Sequence, residues 1–264
     1  MSLVFALGDR YVTRASVVHR ADGRVKLALT LGYVLLVTAT PHAHWLALAA
    51  LALPVAALVA VARLPLDVVL KRSALALPFV LAAVPLAFTT PGELVATVPL
   101  LGWTATREGA EAVATILAKS WISVVLACVL TASTTPTELV HALRGLRVPA
   151  LLAAVIFFTY RYLFTIGDEG SRLMRSRDSR SAAIAGYRSG GTLRWRAGIL
   201  GSMVGTLFLR SYERSERVFA AMQSRGYDGE PRFLDPPTLH RSELAGAALL
   251  LLYAALVQAY VRLG

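Results

Sequence analysis

The sequence predicts an all-α membrane protein with about five transmembrane helices and long cytoplasmic helices that are partly embedded at the inner leaflet. Hydrophobic residues make up 56% of the 264 residues, and the mean hydropathy is +0.60. A soluble domain of this length needs more polar residues to cover its surface than this composition provides. Long uncharged runs recur along the chain, and its basic residues concentrate in one segment before the last run. These observations together indicate that lipid surrounds much of the protein.

Five runs are apolar and long enough to be predicted as membrane spans: 27–40, 45–62, 73–88, 112–132 and 244–261. A helix needs about 20 mostly apolar residues to cross the hydrocarbon layer, and shorter runs recruit their flanks. Lys119 is the one charged residue in the fourth run. Lysine inside a span is expensive, and it is explained by snorkelling, by an internal partner or by a substrate path.

Two further stretches are ambiguous by hydropathy: 150–166, which contains Arg161, and 197–209. The segment 171–241 holds 13 of the 27 basic residues against six acidic ones, and positive flanks remain in the cytoplasm. We therefore expect both stretches to lie against the inner leaflet of the cell membrane without crossing it, with the N-terminus also inside. Binding to anionic lipid is an alternative role for this basic segment.

This reasoning divides the chain into three parts. Residues 1–132 form a transmembrane region with four spans, 133–242 form a cytoplasmic region with amphipathic helices, and 243–264 form a C-terminal span. Thr135-Pro136-Thr137-Glu138 has the pattern of a capping box with proline at the first helical position, which predicts a short amphipathic helix. Pro149 then begins a longer helix that is apolar through Ile166 and charged beyond it.

A second long helix is predicted towards the end of the cytoplasmic region. Ala197, Gly201 and Gly205 recur every four residues, a pattern that lets two helix backbones approach closely, so we expect a helix crossing there. The helix is expected to end at Gly226, because glycine is favoured just after a helix.

Motifs for catalysis or for nucleotide binding are missing from the sequence. It contains no phosphate-binding G-x-x-x-x-G-K-[ST] loop, no H-E-x-x-H and no C-x-x-C. His42 and His44 lie two residues apart without carboxylates, which is a poor metal site, and Cys128 in an apolar run is expected to pack. We predict no enzyme activity, no cofactor and no resident metal in this chain, and no binding of nucleic acid.

Four stretches together resemble a known family: 18–27 (VHRADGRVKL), 134–139 (TTPTEL) with 146–149 (LRVP), 160–164 (YRYLF) with Asp168-Glu169, and 207–217 (LFLRSYERSER) leading to 222–229 (MQSRGYDG). They are similar to the T component of energy-coupling factor (ECF) importers, which are ABC transporters, and specifically to the CbiQ-like members of cobalt and nickel systems. The resemblance covers nearly the whole chain.

The resemblance implies that two short X-Arg-X motifs end the coupling helices and dock into two ATPase subunits. The second motif corresponds to Ser224-Arg225-Gly226. The first corresponds to Ser179-Arg180-Ser181, which lacks the family's glycine, and Arg177 competes for its role.

The implied function is a non-catalytic energy-coupling subunit for cobalt import connected with cobalamin biosynthesis, with ATP bound on the partner subunits. The implied partners are an ATPase dimer, a CbiM-like substrate-binding membrane subunit and a small CbiN-like subunit. The alternative is a self-contained secondary transporter working through Lys119 and Arg161. Nickel in place of cobalt stays open at this point.

Overall fold

The computed structural model describes residues 16–41, 44–74, 77–98, 103–180, 192–229 and 239–263. Helices dominate these residues, and the predicted all-α membrane class is confirmed. The helices are α1 (Val17–Arg20), α2 (Gly23–Thr38), α3 (Trp45–Val61), α4 (Leu66–Ser73), α5 (Leu77–Ala83), α6 (Leu86–Thr89), α7 (Arg107–Ser133), α8 (Pro136–Gly145), α9 (Ala150–Arg180), α10 (Leu193–Ser224) and α11 (Arg241–Leu263). Two strands, β1 (Leu94–Val98) and β2 (Trp103–Thr106), form an antiparallel hairpin.

The chain folds into two compact units. One consists of residues 143–236 and contains α9 and α10. The other consists of residues 11–142 and 237–264 and contains α1 to α7, most of α8, and α11. We call the second the membrane unit, because it contains four of the five apolar runs as continuous helices.

In the membrane unit, α2, α3, α7 and α11 pack around a common apolar core. Its fully buried members include Tyr33 from α2, Leu51 from α3, Leu126 from α7 and Ala254 from α11. Among the described residues, α7, α9 and α11 are long and apolar enough to cross a membrane, and α3 is a shorter apolar helix. The length and composition of α9 therefore permit a crossing, and its predicted place at the inner leaflet depends on the arginines alone.

The run 73–88 departs from the prediction because it does not form one continuous helix. Helix α4 ends at Ser73, and the short helices α5 and α6 follow. Pro78 and Pro85 interrupt this run, and proline removes a backbone donor and clashes with the preceding turn. Helix α6 begins directly after Pro85.

Hydrogen bonds join the helices of the membrane unit at points where a backbone carbonyl has a spare lone pair. Pro54 lies inside α3 and has no N–H for the carbonyl of Ala50, four residues earlier. The hydroxyl of Tyr253 from α11 donates to that oxygen at 3.1 Å. Tyr33 of α2 likewise donates to the Leu51 oxygen at 2.7 Å. Hydrophobic attraction between helices is absent in lipid, so such bonds and close packing hold the helices together.

The start of α2 is fixed by a buried lysine. Lys26, with 8% of its surface exposed, donates from Nζ to the Ser133 oxygen at 3.0 Å and to the His19 oxygen at 3.3 Å. Beside it, the Asp22 N–H donates to a Glu243 carboxylate oxygen at 2.9 Å. These contacts tie the C-terminal end of α7 and the N-terminal end of α11 to the beginning of α2. We call Lys26 and its two carbonyl partners the lysine clamp.

Helix α8 begins with the capping box that the sequence predicted. The Glu138 N–H donates to Thr135 Oγ1 at 3.3 Å, and the Thr135 N–H donates to Glu138 Oε2 at 3.3 Å. The two bonds together form the reciprocal pair that the motif requires. The backbone of α8 also lies close to α2, because a Cβ placed on Gly23 would be 3.2 Å from the Glu138 oxygen.

Candidate functional site

The candidate site lies in the unit formed by α9 and α10 and consists of the charged ends of these two helices. Helix α9 follows the turn 145–149, in which Arg147 adopts a left-handed conformation (φ 67°), and it runs without interruption for 31 residues. Its first half is apolar, and its second half carries most of the charge. The predicted long helix that begins at Pro149, apolar at first and charged beyond Ile166, is confirmed over Ala150–Arg180.

Helix α10 is 32 residues long and has a defined cap at each end. At its start, the side chain of Thr192 accepts a hydrogen bond from the Trp195 N–H. At its end, the Tyr227 N–H donates to the Met222 oxygen and the Gly226 N–H donates to the Gln223 oxygen, each at 3.0 Å. This pair of bonds is the Schellman motif.

Gly226 makes this helix end possible because its φ of +81° is in the left-handed region, which side chains disfavour. The predicted end of the helix at Gly226 is confirmed. Arg225 is the last residue before the turn, and its side chain is exposed. The Schellman motif thus fixes the backbone that presents this arginine, flanked by Ser224.

The other candidate arginines lie in the last turn of α9. Arg180 is the last described residue of the helix and is exposed, with Ser179 beside it. Arg177 donates from Nε and Nη2 to one oxygen of Asp178, at 3.1 and 2.7 Å. Ser181, the third member of the first motif, is outside the described residues. Within the described part of the chain neither Arg180 nor Arg225 makes an ion pair.

A carboxylate with two arginine partners links α9 and α10 between these ends. Glu169 of α9 accepts from Arg210 at 3.1 Å and from Arg214 at 3.3 Å, one on each carboxylate oxygen. Its side chain is 15% exposed, whereas the two arginines are 54% and 39% exposed. The hydrogen bond from Arg210, helped by the positive charge of Arg214, lowers the pKa of Glu169 below the usual value. The carboxylate is therefore ionised at neutral pH. We call this contact the Glu169 bridge.

The two helices also enclose an apolar groove of about 680 Å³ beside the Glu169 bridge. Its walls include Val155 and Phe158 of α9 and Phe219 and Met222 of α10. Tyr227, just past the Schellman turn, packs edge-on against Phe158, with ring centroids 6.5 Å apart. Aromatic side chains thus support the end of α10 near Arg225.

The described residues supply no partner for the helix crossing predicted at the small-residue stripe of α10. Apart from the helix's own neighbouring backbone, nothing described lies within 4 Å of a Cβ built on Gly201 or Gly205, and Ala197 is exposed. A contact between α9 and α10 occurs at Gly170, where a Cβ would lie 3.8 Å from Leu207 Cδ2. Among the described residues the stripe lies on an open side of α10, and the crossing stays a prediction.

Lys119 and Arg161 lie in different compact units of the chain. Lys119 Nζ donates to the carbonyl oxygens of Thr38, at 3.3 Å, and of Thr40, so it caps the end of α2. Lysine near a helix C-terminus satisfies carbonyls that lack intrahelical partners. Arg161 is exposed on α9 in the other unit. The internal-partner explanation of Lys119 fits the structure.

The described residues hold no cluster of three or more histidine, cysteine, aspartate or glutamate side chains suited to a metal ion. His42 is outside the described residues, and His44 precedes α3 beside Trp45, Tyr253 and Tyr260. Cys128 is buried against the core of the membrane unit.

Sequence reasoning missed the Glu169 bridge and the lysine clamp. Glu169, Arg210 and Arg214 were recognised as parts of similar stretches, but their contact joins residues more than 40 positions apart. Lys26 stands at the polar edge of an apolar run, where an inward lysine and a lipid-facing one have the same sequence pattern. The local sequence shows only that Lys26 directly precedes the apolar run that begins at Leu27, and this does not distinguish the two orientations.

The fold and site define a membrane protein in which apolar helices accompany two long helices ending in exposed arginines. Comparison with known proteins then places it more narrowly. The chain belongs to the CbiQ family, described as cobalt transport protein, whose family model matches residues 14–234. The resemblance drawn from the four stretches is confirmed.

Several curated relatives support this assignment. The chain is 26% identical over 231 residues to the energy-coupling factor transporter transmembrane protein EcfT of Limosilactobacillus fermentum, covering 83% of this chain and 82% of that protein. It is 26% identical over 272 residues to EcfT of Acidaminococcus fermentans, covering 97% and 96% of the two chains. An uncharacterized protein of Methanocaldococcus jannaschii is 32% identical over 107 residues, which is 39% of this chain and only 36% of that protein.

Proposed function

We propose that this chain is the transmembrane energy-coupling subunit of an ECF-type importer for cobalt ions in the cell membrane. It passes movements of an ATPase dimer to a substrate-binding membrane partner. The observation that carries the proposal is the placement of Arg180 and Arg225 at the exposed ends of two long helices joined by the Glu169 bridge. The similarity to proteins named energy-coupling factor transporter transmembrane protein supports the same function.

The geometry suits docking into two separate grooves. Arginine presents a planar fork of donors that matches carboxylates and backbone carbonyls, and its charge does not titrate. Arg225 projects from a rigid Schellman turn, and Arg180 from the last turn of α9. Two arginines on two helices match two ATPase protomers. Arg177 is the weaker candidate for the first motif, because part of its fork is already bonded to Asp178.

Long helices are suited to carrying such a movement. Helix α9 runs from an apolar half that is compatible with lipid to a charged half that is compatible with water. A rigid-body displacement at the charged end is therefore transmitted along the rod towards the membrane. We propose that residues 143–236 form the coupling part of the subunit and that the open stripe at Ala197, Gly201 and Gly205 contacts the substrate-binding partner.

Catalysis and cobalt binding are assigned to the partners in this proposal. The sequence has no phosphate-binding loop, so ATP is bound and hydrolysed by the ATPase subunits. A CbiM-like membrane subunit holds the ion, with a small CbiN-like subunit beside it. Cobalt is preferred over nickel because the family description names cobalt transport.

The proposal is tested by replacing the two docking arginines. Removing one forked contact from a desolvated interface costs about 2–5 kcal/mol, partly because groups on the partner lose their bonds. That cost weakens association by a factor of roughly 30 to several thousand. We expect Arg225→Ala to insert normally, with strongly reduced co-purified ATPase and cobalt uptake, and the double variant with Arg180→Ala to lose both.

Two controls sharpen this test. Arg217→Ala removes another exposed arginine of α10, one that pairs within its own helix with Glu213, and it should leave the complex intact. Lysine at 180 or 225 should rescue only in part, because it keeps the charge and loses the fork. A larger defect for Arg177→Ala than for Arg180→Ala would assign the first docking motif to Arg177, three residues earlier. A full complex and full uptake in the double variant would contradict the proposal.

A further inference from the structure

The Glu169 bridge is the direct ionic contact between α9 and α10 among the described residues. Each oxygen of the carboxylate has its own arginine, so both the distance and the rotation of the two helices are constrained. A contact to only one carboxylate oxygen would leave the two helices free to rotate about that contact. Charge-assisted bonds of this paired kind give directional specificity as well as attraction.

The bridge lies beside another contact between the two helices. Gly170 is the next residue of α9, and a Cβ there would lie 3.8 Å from Leu207 Cδ2 of α10, an ordinary van der Waals distance. Arg210 and Arg214 are one turn apart on the same face of α10, so the carboxylate contacts two turns of that helix at once. Packing and charge therefore join the two helices at this point.

Arg180 and Arg225 lie at comparable distances along their helices from this contact. Arg180 is 11 positions after Glu169, and Arg225 is 11 positions after Arg214 and 15 after Arg210. At about 1.5 Å per residue, these arms are roughly 16 to 22 Å long. A change in the angle between the helices at the bridge therefore changes the separation of the two arginines.

We infer that Glu169 is a positioning residue: it is the pivot that holds the two docking arginines at a fixed separation, so that movement of the ATPase subunits reaches the membrane. This inference rests on the proposed function and specifies where the two coupling helices are joined. Glu169 touches neither the ATPase nor the transported ion. It acts through the placement of Arg180 and Arg225.

The other described ion pairs of this unit lie within a single helix. Arg217 and Glu213 pair within α10 at 3.9 Å, and both side chains are at least 66% exposed. Arg177 and Asp178 are neighbours on α9. Neither pair connects the two helices, so Glu213→Gln supplies a matched control for Glu169→Gln, with the same chemical change on a more exposed carboxylate.

The test measures the separation of the helix ends directly. Spin labels are placed on cysteines introduced at Ser176 and Ala221, each seven residues beyond the bridge on its helix, in a Cys128→Ala background. Both positions are exposed. Electron paramagnetic resonance distances are recorded on the full chain in lipid nanodiscs. We expect one narrow distance distribution in the parent and with Glu213→Gln, and a broad one with Glu169→Gln.

The same variants are then tested in the assembled transporter. With Glu169→Gln the ATPase subunits should still co-purify, while cobalt uptake per ATP hydrolysed falls about fivefold or more. The variant loses two partly exposed ion pairs, and each is worth up to a factor of about five. Exchanging the charges, Glu169→Arg with Arg214→Glu, rebuilds one ion pair between α9 and α10, because Arg210 lies on the same helix as the new carboxylate. This exchange should narrow the distribution relative to Glu169→Gln and recover part of the uptake.

Two results would overturn the inference that Glu169 is the pivot. One is an unchanged distance distribution in Glu169→Gln, and the other is a charge exchange that recovers neither the distance distribution nor the uptake. The failure of the proposed function is a different outcome. It shows as full ATPase binding by the variant lacking Arg180 and Arg225, whatever the distances are.

Discussion

Replacement of Lys26 by methionine tests how strongly the lysine clamp holds the membrane unit together. Methionine keeps the length and the apolar stem of the side chain and removes the ammonium group. The change leaves the oxygens of Ser133 and His19 without this donor. It also removes the cation that lies near the carboxylates of Glu138 and Glu243.

The size of the effect follows from the two contacts. A hydrogen bond to a charged group contributes about 1.5–3 kcal/mol, and the longer contact to His19 belongs at the low end of that range. The carbonyl oxygen left behind at Ser133 stays buried, since Ser133 is 1% exposed, so water does not replace the lost bond. We expect the free energy of unfolding to fall by about 3–5 kcal/mol. For a chain of this size that lowers the melting temperature by on the order of 10 °C.

The assay is thermal unfolding of the purified full chain in detergent, followed by circular dichroism and by loss of monodisperse protein. Lys71→Met is the matched control, because Lys71 is an exposed lysine of α4 and undergoes the same chemical change. It should melt within about 2 °C of the parent, as exposed substitutions usually do. If Lys26→Met is no less stable than Lys71→Met, the reasoning about the clamp is wrong.

Two further predictions concern the helix contacts. Tyr253→Phe should cost about 0.6 kcal/mol of unfolding free energy in the parent, and nothing after Pro54→Ala, since residue 54 then supplies an N–H to the Ala50 oxygen. Equal costs in both backgrounds, by the same melting assay, would show that the proline does not matter. Gly201→Leu or Gly205→Leu should insert and melt normally, because no described atom lies near either Cβ, while cobalt uptake by the assembled transporter falls. Unchanged uptake in both would mean that the open stripe contacts no partner.

Local features were predictable from the sequence because residues close in the chain determine them. The capping box at Thr135 and Glu138 and the helix end at Gly226 depend on three to five consecutive residues, so their pattern carries their geometry. Four of the five apolar runs also form continuous helices, because helix formation satisfies every backbone group in lipid. The run 73–88 breaks at prolines that a count of hydropathy ignores.

Contacts between helices were not predictable, because periodicity gives the face of a helix and not the partner of a side chain. The Glu169 bridge joins residues 41 and 45 positions apart, and Tyr253 meets Ala50 across 203 positions. The stripe at Gly201 and Gly205 has the pattern of a helix crossing, yet α9 approaches α10 at Gly170. The sequence by itself determined the membrane class, the capping box that begins α8 and the helix end at Gly226. Only the tertiary structure decided which charges meet, because pairing depends on how the helices pack.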